Sequence, residues 1–229
     1  MINEVVITGA GRGIGHALAQ KFSACGWKVY AISRNVEAFK QVEGVIGLQA
    51  DLTDSKQLED AVHKIGSASK ASAFRVVINN AGLLLNRKFE DMGREEFKKM
   101  QAINFDAPFF LTQKLMPWLE AANKGHVLFI GSMGGFQGSS KYPGLSLYSA
   151  LKSAVAGLGE CLAVEYSNTN IRFNTICPGA VDTEMLQEAF PGFVSGVSAE
   201  QMASFIYDFA SSGYDLFNGK IIPVAGANP

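Results

Sequence analysis

Tyr148 and Lys152 stand four residues apart in the segment Tyr148-Ser149-Ala150-Leu151-Lys152. On a helix that spacing puts a phenol and an ammonium on one face. A cation beside a phenol favours the phenolate and lowers its pKa from about 10. A fall of about two to three units, worth ~3–4 kcal/mol, would let the phenol exchange a proton near neutral pH. The pair therefore predicts a general acid–base tyrosine with a depressed pKa. Tyrosine and lysine are common on helices, so the spacing alone is weak evidence. The other tyrosines, Tyr30, Tyr142, Tyr166, Tyr207 and Tyr214, are followed four residues later by Arg34, Ser146, Asn170, Ser211 and Asn218. Only Tyr148 has the lysine.

A second chemistry-bearing stretch is Thr8-Gly9-Ala10-Gly11-Arg12-Gly13-Ile14-Gly15. Glycine allows positive φ and close backbone approach, and a helix N-terminus beyond such a turn attracts a pyrophosphate. A strict GxGxxG does not fit. Counted from Gly9 the last position is Ile14, and counted from Gly11 it is His16. The pattern TGxxxGxG does fit, on Thr8, Gly9, Gly13 and Gly15.

These residues need elements to hold them. Val5–Ile7 reads as a buried strand, and Ile14 to Ala24 as a helix with Ile14, Leu18 and Phe22 on one face. Further strands are expected at Lys28–Ile32, Val45–Gln49, Phe74–Ile78, His126–Ile130, Ile171–Ile176 and Lys220–Val224. Helices are expected at Ser55–Ile65, capped by Asp54 or Ser55, at Tyr148–Tyr166 and at Ser198–Ala210. The span Glu95–Leu119 reads as one or two long helices. Apolar strands without alternation, separated by helices, imply a parallel sheet covered on both faces. The fold class is α/β, a doubly wound, mainly seven-stranded sheet in one domain spanning 1–229. In such folds ligands sit beyond the carboxyl ends of the strands.

Composition narrows the function classes. The 229 residues are 48% hydrophobic and 18% charged, which excludes disorder. Lys+Arg 20 against Asp+Glu 21 leaves a net charge of −1, with no excess to draw nucleic acid or an anionic membrane. His16, His63 and His126 are scattered, so no metal site is expected. Cys25, Cys161 and Cys177 read as buried free thiols in a reducing compartment. No leader precedes the first strand, and no apolar run approaches the ~18 residues that span a bilayer. The expectation is a cytoplasmic protein.

The glycine turn together with Tyr148 and Lys152 resembles the short-chain dehydrogenase/reductase family, and further positions match along almost the whole chain. Asp51, with Leu52, resembles the family's adenine-contacting aspartate. Asn79-Asn80-Ala81-Gly82 resembles its NNAG motif beside the cofactor ribose. Asn104 resembles the helix asparagine that holds a relay water, and Ser132 the serine that hydrogen-bonds the substrate carbonyl. Pro178-Gly179-Ala180-Val181-Asp182-Thr183 resembles PGxVxT, which encloses the nicotinamide. The resemblance implies hydride transfer between a nicotinamide and a carbonyl or alcohol carbon, with Tyr148, Lys152, Ser132 and Asn104 as the catalytic set. Three features depart from the pattern. The Ser132–Tyr148 interval is long, the lid at 183–198 is short, and the chain end Val224-Ala225-Gly226-Ala227-Asn228-Pro229 lacks the usual Asp-Gly-Gly close.

An NAD site needs an acid at the tip of the second strand. Here Ser33 stands in that place and Arg34 follows. Arg34, joined by Arg12, can fork onto a 2′-phosphate, so NADP(H) is expected over NAD(H). Met133, Phe136, Tyr142, Leu145, Met185, Leu186, Phe190 and Phe193 would wall an apolar pocket, with no arginine to clamp a carboxylate. The expected substrate is a small, neutral, fairly apolar ketone or aldehyde or the matching alcohol. Phe105, Phe109, Phe110 and Leu111 cannot all face one sheet from one helix, so a homodimer or homotetramer is expected. Two alternatives fit less well. A catalytically silent nucleotide sensor would have no need of the full Tyr148, Lys152, Ser132 and Asn104 set. An epimerase or dehydratase would need a substrate domain that Thr183–Pro229 is too short to hold.

Overall fold

The computed structural model describes residues 2–70 and 72–225. The chain end Gly226–Pro229, part of one departure noted above, lies outside the described residues. In chain order the elements are β1 (Glu4–Thr8), α1 (Gly13–Ala24), β2 (Lys28–Ser33), β3 (Val45–Gln49), α2 (Ser55–Ala68), β4 (Phe74–Asn79), α3 (Arg94–Gln101), α4 (Ala107–Glu120), β5 (Lys124–Ile130), α5 (Ser146–Glu165), β6 (Ile171–Pro178), α6 (Glu184–Ala189), α7 (Ala199–Ser212) and β7 (Lys220–Val224). The seven strands form one sheet in the order β3-β2-β1-β4-β5-β6-β7, and every pairing is parallel. Asp54 caps α2 by accepting from the Lys56 and Gln57 amides.

The strands are apolar because both faces are covered. On one face Leu18 and Phe22 of α1 and Ile206 and Phe209 of α7 pack over Val5, Ile7 and Val76. On the other, Leu58 of α2, Leu111 and Leu115 of α4 and Val155 of α5 pack over Val6, Val77 and Val127. The order reverses at β1, which lies between β2 and β4, so a crevice opens beyond their carboxyl ends.

The span 95–119, read as one or two long helices, holds two, α3 and α4, joined by a π-helical segment, Ala102–Asp106. Three expectations need correction. Only Cys177 is buried; Cys25 and Cys161 are exposed, since they sit where helix α1 ends and on the outer side of α5. Helix α5 has the length and mean hydropathy of a membrane-crossing segment. Val155 and Ala163, with the partly buried Leu158 and Leu162, instead pack into the core on the sheet, and the same helix buries Tyr148 and Lys152. The third is the acidity of Tyr148, which burial raises.

His126 on β5 is fully buried. Its Nδ1 donates to the Ala210 carbonyl at 3.1 Å, and its Nε2 accepts from Asn174 Nδ2 at 3.0 Å. Asn174 Oδ1 accepts the Lys220 amide, which fixes the orientation of that side-chain amide. Every ring nitrogen is used by the neutral tautomer. Burial, opposed by the Ala210 carbonyl and aided by nearby Arg172, pushes the imidazole down to about 4. The unfolded chain, titrating near 6.5, then takes up a proton that the native state refuses. Stability should be complete above about pH 6.5 and fall by about 3 kcal/mol as pH drops toward 4. Denaturant unfolding at a series of pH values should show a shallower slope in this window for His126→Gln than for wild type. Identical slopes would contradict the assignment.

Candidate active site

Thr8, at the end of β1, ties the crevice together. Its Oγ1 accepts from the Asn80 and Ala81 amides at 3.0 and 2.9 Å. Asn80 Nδ2 donates back to the Thr8 carbonyl at 2.9 Å. The glycine turn lies hard against this clamp. A Cβ on Gly9, whose φ is +64°, would stand 2.8 Å from Ala81 Cα, and one on Gly15 would stand 2.3 Å from the Gly9 carbonyl oxygen. Asn79 is drawn the other way, to Thr112 Oγ1 of α4.

Helix α1 begins at Gly13 with φ +53° and faces Thr183, whose Cγ2 would lie 3.2 Å from an added Cβ. Its first turn holds no acidic residue, and its N-cap, Arg12, makes no side-chain cap. Free amide groups at a helix N-terminus suit an anion. A groove of about 810 Å³ runs between this turn and α6, lined among others by Gly11, Arg12, Gly13, His16, Thr183 and Glu188. The glycine turn and the α1 amides fit a dinucleotide pyrophosphate, while Asp182, Glu184, Glu188 and Glu200 also line the groove. At the β2 tip, Ser33 Oγ lies so close to Gly11 that a Cβ there would collide with it. Arg34 is exposed and forms no ion pair among the described residues. Arg12 is already engaged: its guanidinium pairs with Glu188 of α6, both side chains being more than half exposed. Asp51 holds the turn after β3, where Oδ1 accepts from the amide and hydroxyl of Thr53 at 2.9 and 2.7 Å.

Tyr148, Lys152, Ser132 and Asn104 come together beyond β4, β5 and β6. Tyr148 and Lys152 are 8% and 4% exposed. The Tyr148 hydroxyl is hydrogen-bonded to the Ser132 side chain. Lys152 Nζ donates to the Ile130 carbonyl at 2.8 Å and lies 5.7 Å from the Tyr148 ring centroid. An added Cβ on Gly82 would stand 3.1 Å from Asn104 Oδ1 and 3.5 Å from Lys152 Nζ, so that glycine lets both groups approach. Asn104 is buried in the π-helical segment and donates to the Leu83 and Met100 carbonyls at 2.8 and 2.9 Å. Single π turns of this kind often mark functional sites.

The expected depression of the Tyr148 pKa is wrong in sign. Burial, only partly offset by the Ser132 hydrogen bond, pushes the phenol up to about 12. Burial also pushes Lys152 down to about 8. Loss of water disfavours the charged form of each group, and the ammonium is directed at a carbonyl rather than at the phenol oxygen. The phenol therefore keeps its proton at neutral pH, the state in which it can donate to a carbonyl oxygen.

Several nearby residues were missed from sequence. Cys177, just before Pro178-Gly179, is buried behind Ser132, whose amide it accepts, and its thiol is pushed up by that burial. Lys141 holds the loop after Ser132, and Glu188 holds Arg12. None belongs to a recognisable spacing; only the position of Cys177 against the Pro-Gly pair offered a signal. The expected pocket residues Met133, Phe136, Tyr142 and Leu145 lie in or beside that loop. Asn86 Nδ2 ties the segment after β4 to the α6 carbonyl of Ala189 at 3.1 Å.

The sequence profile described as short chain dehydrogenase matches residues 3–192. The chain belongs to the short-chain dehydrogenase family. The 3-oxoacyl-[acyl-carrier-protein] reductase MabA of Mycobacterium tuberculosis is 32% identical, over 97% of this chain and 91% of that protein. ElxO with NADP bound superposes with a TM-score of 0.85 at 26% identity, covering 99% of this chain and 98% of its own. A 4-hydroxyisoleucine dehydrogenase complexed with NADH superposes with a TM-score of 0.86 at 25% identity, covering 98% of both chains. This short-chain dehydrogenase is thus an oxidoreductase of the C=O/CH–OH pair that uses a nicotinamide cofactor.

If Tyr148 supplies the proton, Tyr148→Phe should retain cofactor binding and melting temperature while turnover falls by at least ~10²-fold. Steady-state assays beside a cofactor titration check this; activity within a few-fold of wild type would remove Tyr148 from the reaction.

Proposed function

We propose that this protein is an NADP(H)-dependent reductase of a small, neutral, fairly apolar ketone or aldehyde. The observation that carries the reading is the buried Tyr148 hydroxyl hydrogen-bonded to Ser132, with Lys152 beside it. When bound, the nicotinamide supplies the hydride that reaches the carbonyl carbon. Tyr148 gives its proton to the carbonyl oxygen. Ser132 donates a hydrogen bond to the same oxygen as negative charge builds there. Lys152 stabilises the phenolate left behind, and Asn104 holds the backbone around it. Thr8, Gly9, Gly11, Gly13, Ile14 and Gly15 form the pyrophosphate cradle; Asp51 and Leu52 flank the adenine, and Asn80, Ala81 and Gly82 the ribose. Pro178, Gly179, Val181 and Thr183 enclose the nicotinamide. The chain acts as one cofactor-binding domain with residues 183–198 as its lid. Phe110, 49% exposed on α4, supports assembly into a homodimer or homotetramer.

The NADP(H) preference rests on Arg34. Ser33 offers no carboxylate to hold a ribose 2′-hydroxyl, and the free Arg34 guanidinium suits a 2′-phosphate. A carbonyl panel assayed by loss of reduced-cofactor absorbance should give turnover with NADPH. In fluorescence titrations Arg34→Ala should weaken NADPH by about ten- to a hundredfold and leave NADH nearly unchanged. Ser33→Asp should move the preference toward NADH. Tighter wild-type binding of NADH would overturn the preference, and binding without any carbonyl turnover would favour a nucleotide sensor.

A further inference from the structure

The loop after Ser132 contains a lysine that the chemistry above does not use. Ser132 opens a 3₁₀ turn, Met133–Gly135. The Ser132 carbonyl accepts the Gly135 and Phe136 amides at 2.9 and 3.1 Å, and its Oγ accepts the Gly134 amide at 3.2 Å. The turn's remaining carbonyls need partners too. Gly135 O is taken by Ser153 Oγ at 2.7 Å, and Met133 O by Ser139 Oγ. Gly134 O and Phe136 O both accept from Lys141 Nζ, at 2.8 and 2.7 Å, and the ammonium's third contact is Ser139 Oγ at 2.9 Å. An ammonium has three donors and no acceptor, so all three are used within this one loop.

We propose that Lys141 is a positioning residue for Ser132; this rests on the reading of Ser132 as the group that binds the substrate carbonyl. Gly134 links the two side chains, its amide on Ser132 Oγ and its carbonyl on Lys141 Nζ. The turn is also wedged against α5: a Cβ on Gly134 would stand 2.9 Å from Ser149 Oγ, and one on Gly135 2.7 Å from Lys152 Cβ. A turn held this closely cannot rotate without moving Ser132 relative to Tyr148. Phe136 O also accepts the Ser139 amide and hydroxyl at 3.3 and 2.8 Å, so without the ammonium it is the Gly134 carbonyl that loses its donor and relaxes toward water.

The test compares Lys141→Met, Lys141→Arg, Ser132→Ala and the Ser132→Ala/Lys141→Met double variant in the full-length protein. Lys141→Met should lower kcat for carbonyl reduction by about ten- to a hundredfold, since displacements near 1 Å cost that much. The NADPH Kd and Tm should stay near wild type. Lys141→Arg, with the same charge and donors for two carbonyls, should recover most of kcat. In the Ser132→Ala background, loss of Lys141 should add little, as expected if it acts through Ser132. An unchanged kcat in Lys141→Met, or losses that multiply fully in the double variant, would overturn the proposal. So would equal kcat losses in the Met and Arg variants with a large fall in Tm, which would mark a purely structural lysine. A wild type without carbonyl turnover would overturn the functional reading beneath it, whereas an active wild type unaffected by Lys141→Met overturns the lysine alone.

Discussion

Lys152 holds an ammonium inside the protein without a carboxylate to balance it. Among the described residues no acidic oxygen lies within ion-pair distance of Nζ, and its donor contact is the Ile130 carbonyl. Burying a cation this way is unfavourable, and the group responds by losing proton affinity. Tyr148 meets the same low-dielectric surroundings and responds in the opposite sense, keeping its proton more tightly. The site is thus poised by desolvation, with both residues pushed toward their neutral forms. Charge that develops on a substrate oxygen or on the phenol during reaction would find a cation already in place, with little water to rearrange.

The opposite end of the sheet shows the contrast. Glu4 and Arg75, both nearly inaccessible, pair at 3.1 Å, and Tyr30, Ser69 and Trp118 complete the network. A paired and hydrogen-bonded buried ion pair holds the amino-terminal ends of β1 and β4 together. Their carboxyl ends are joined by the neutral Thr8–Asn80 clamp, which places no charge at the strand tips themselves. At the glycine turn a phosphate-bearing ligand meets the amide dipoles of the α1 N-terminus. Four acids, Asp182, Glu184, Glu188 and Glu200, line the groove on the side of α6 and α7, and of these Glu188 is paired with Arg12.

Much of this was legible in the sequence because parallel strands buried on both faces leave continuous apolar runs. The ends of β3 and β7 coincide with the sequence reading, and the motifs fall at strand tips where the topology needs them. Ser132 meets Tyr148 despite the long interval between them, because the extra residues fold into the loop that Lys141 secures. What sequence could not supply was burial. The acidity of Tyr148 depends on surroundings assembled from β5, β6 and the π-helical segment, and spacing along α5 carries none of that. The contacts of Lys141 and Glu188 join segments by way of loop carbonyls and the short helix α6, which leave no periodic mark. The π segment likewise resembles ordinary helix in composition, and only the backbone reveals it.

The most direct test is the titration of Lys152 itself. Carbon-13 NMR of the lysine Cε resonances across pH, with the Lys152 signal identified by its loss in Lys152→Met, reads the protonation of this one ammonium. A buried cation without a counter-charge predicts a midpoint near 8 in the free enzyme. A midpoint near the ordinary lysine value of about 10.4 would show the ammonium solvated or paired, contradicting the desolvated pair on which the account rests.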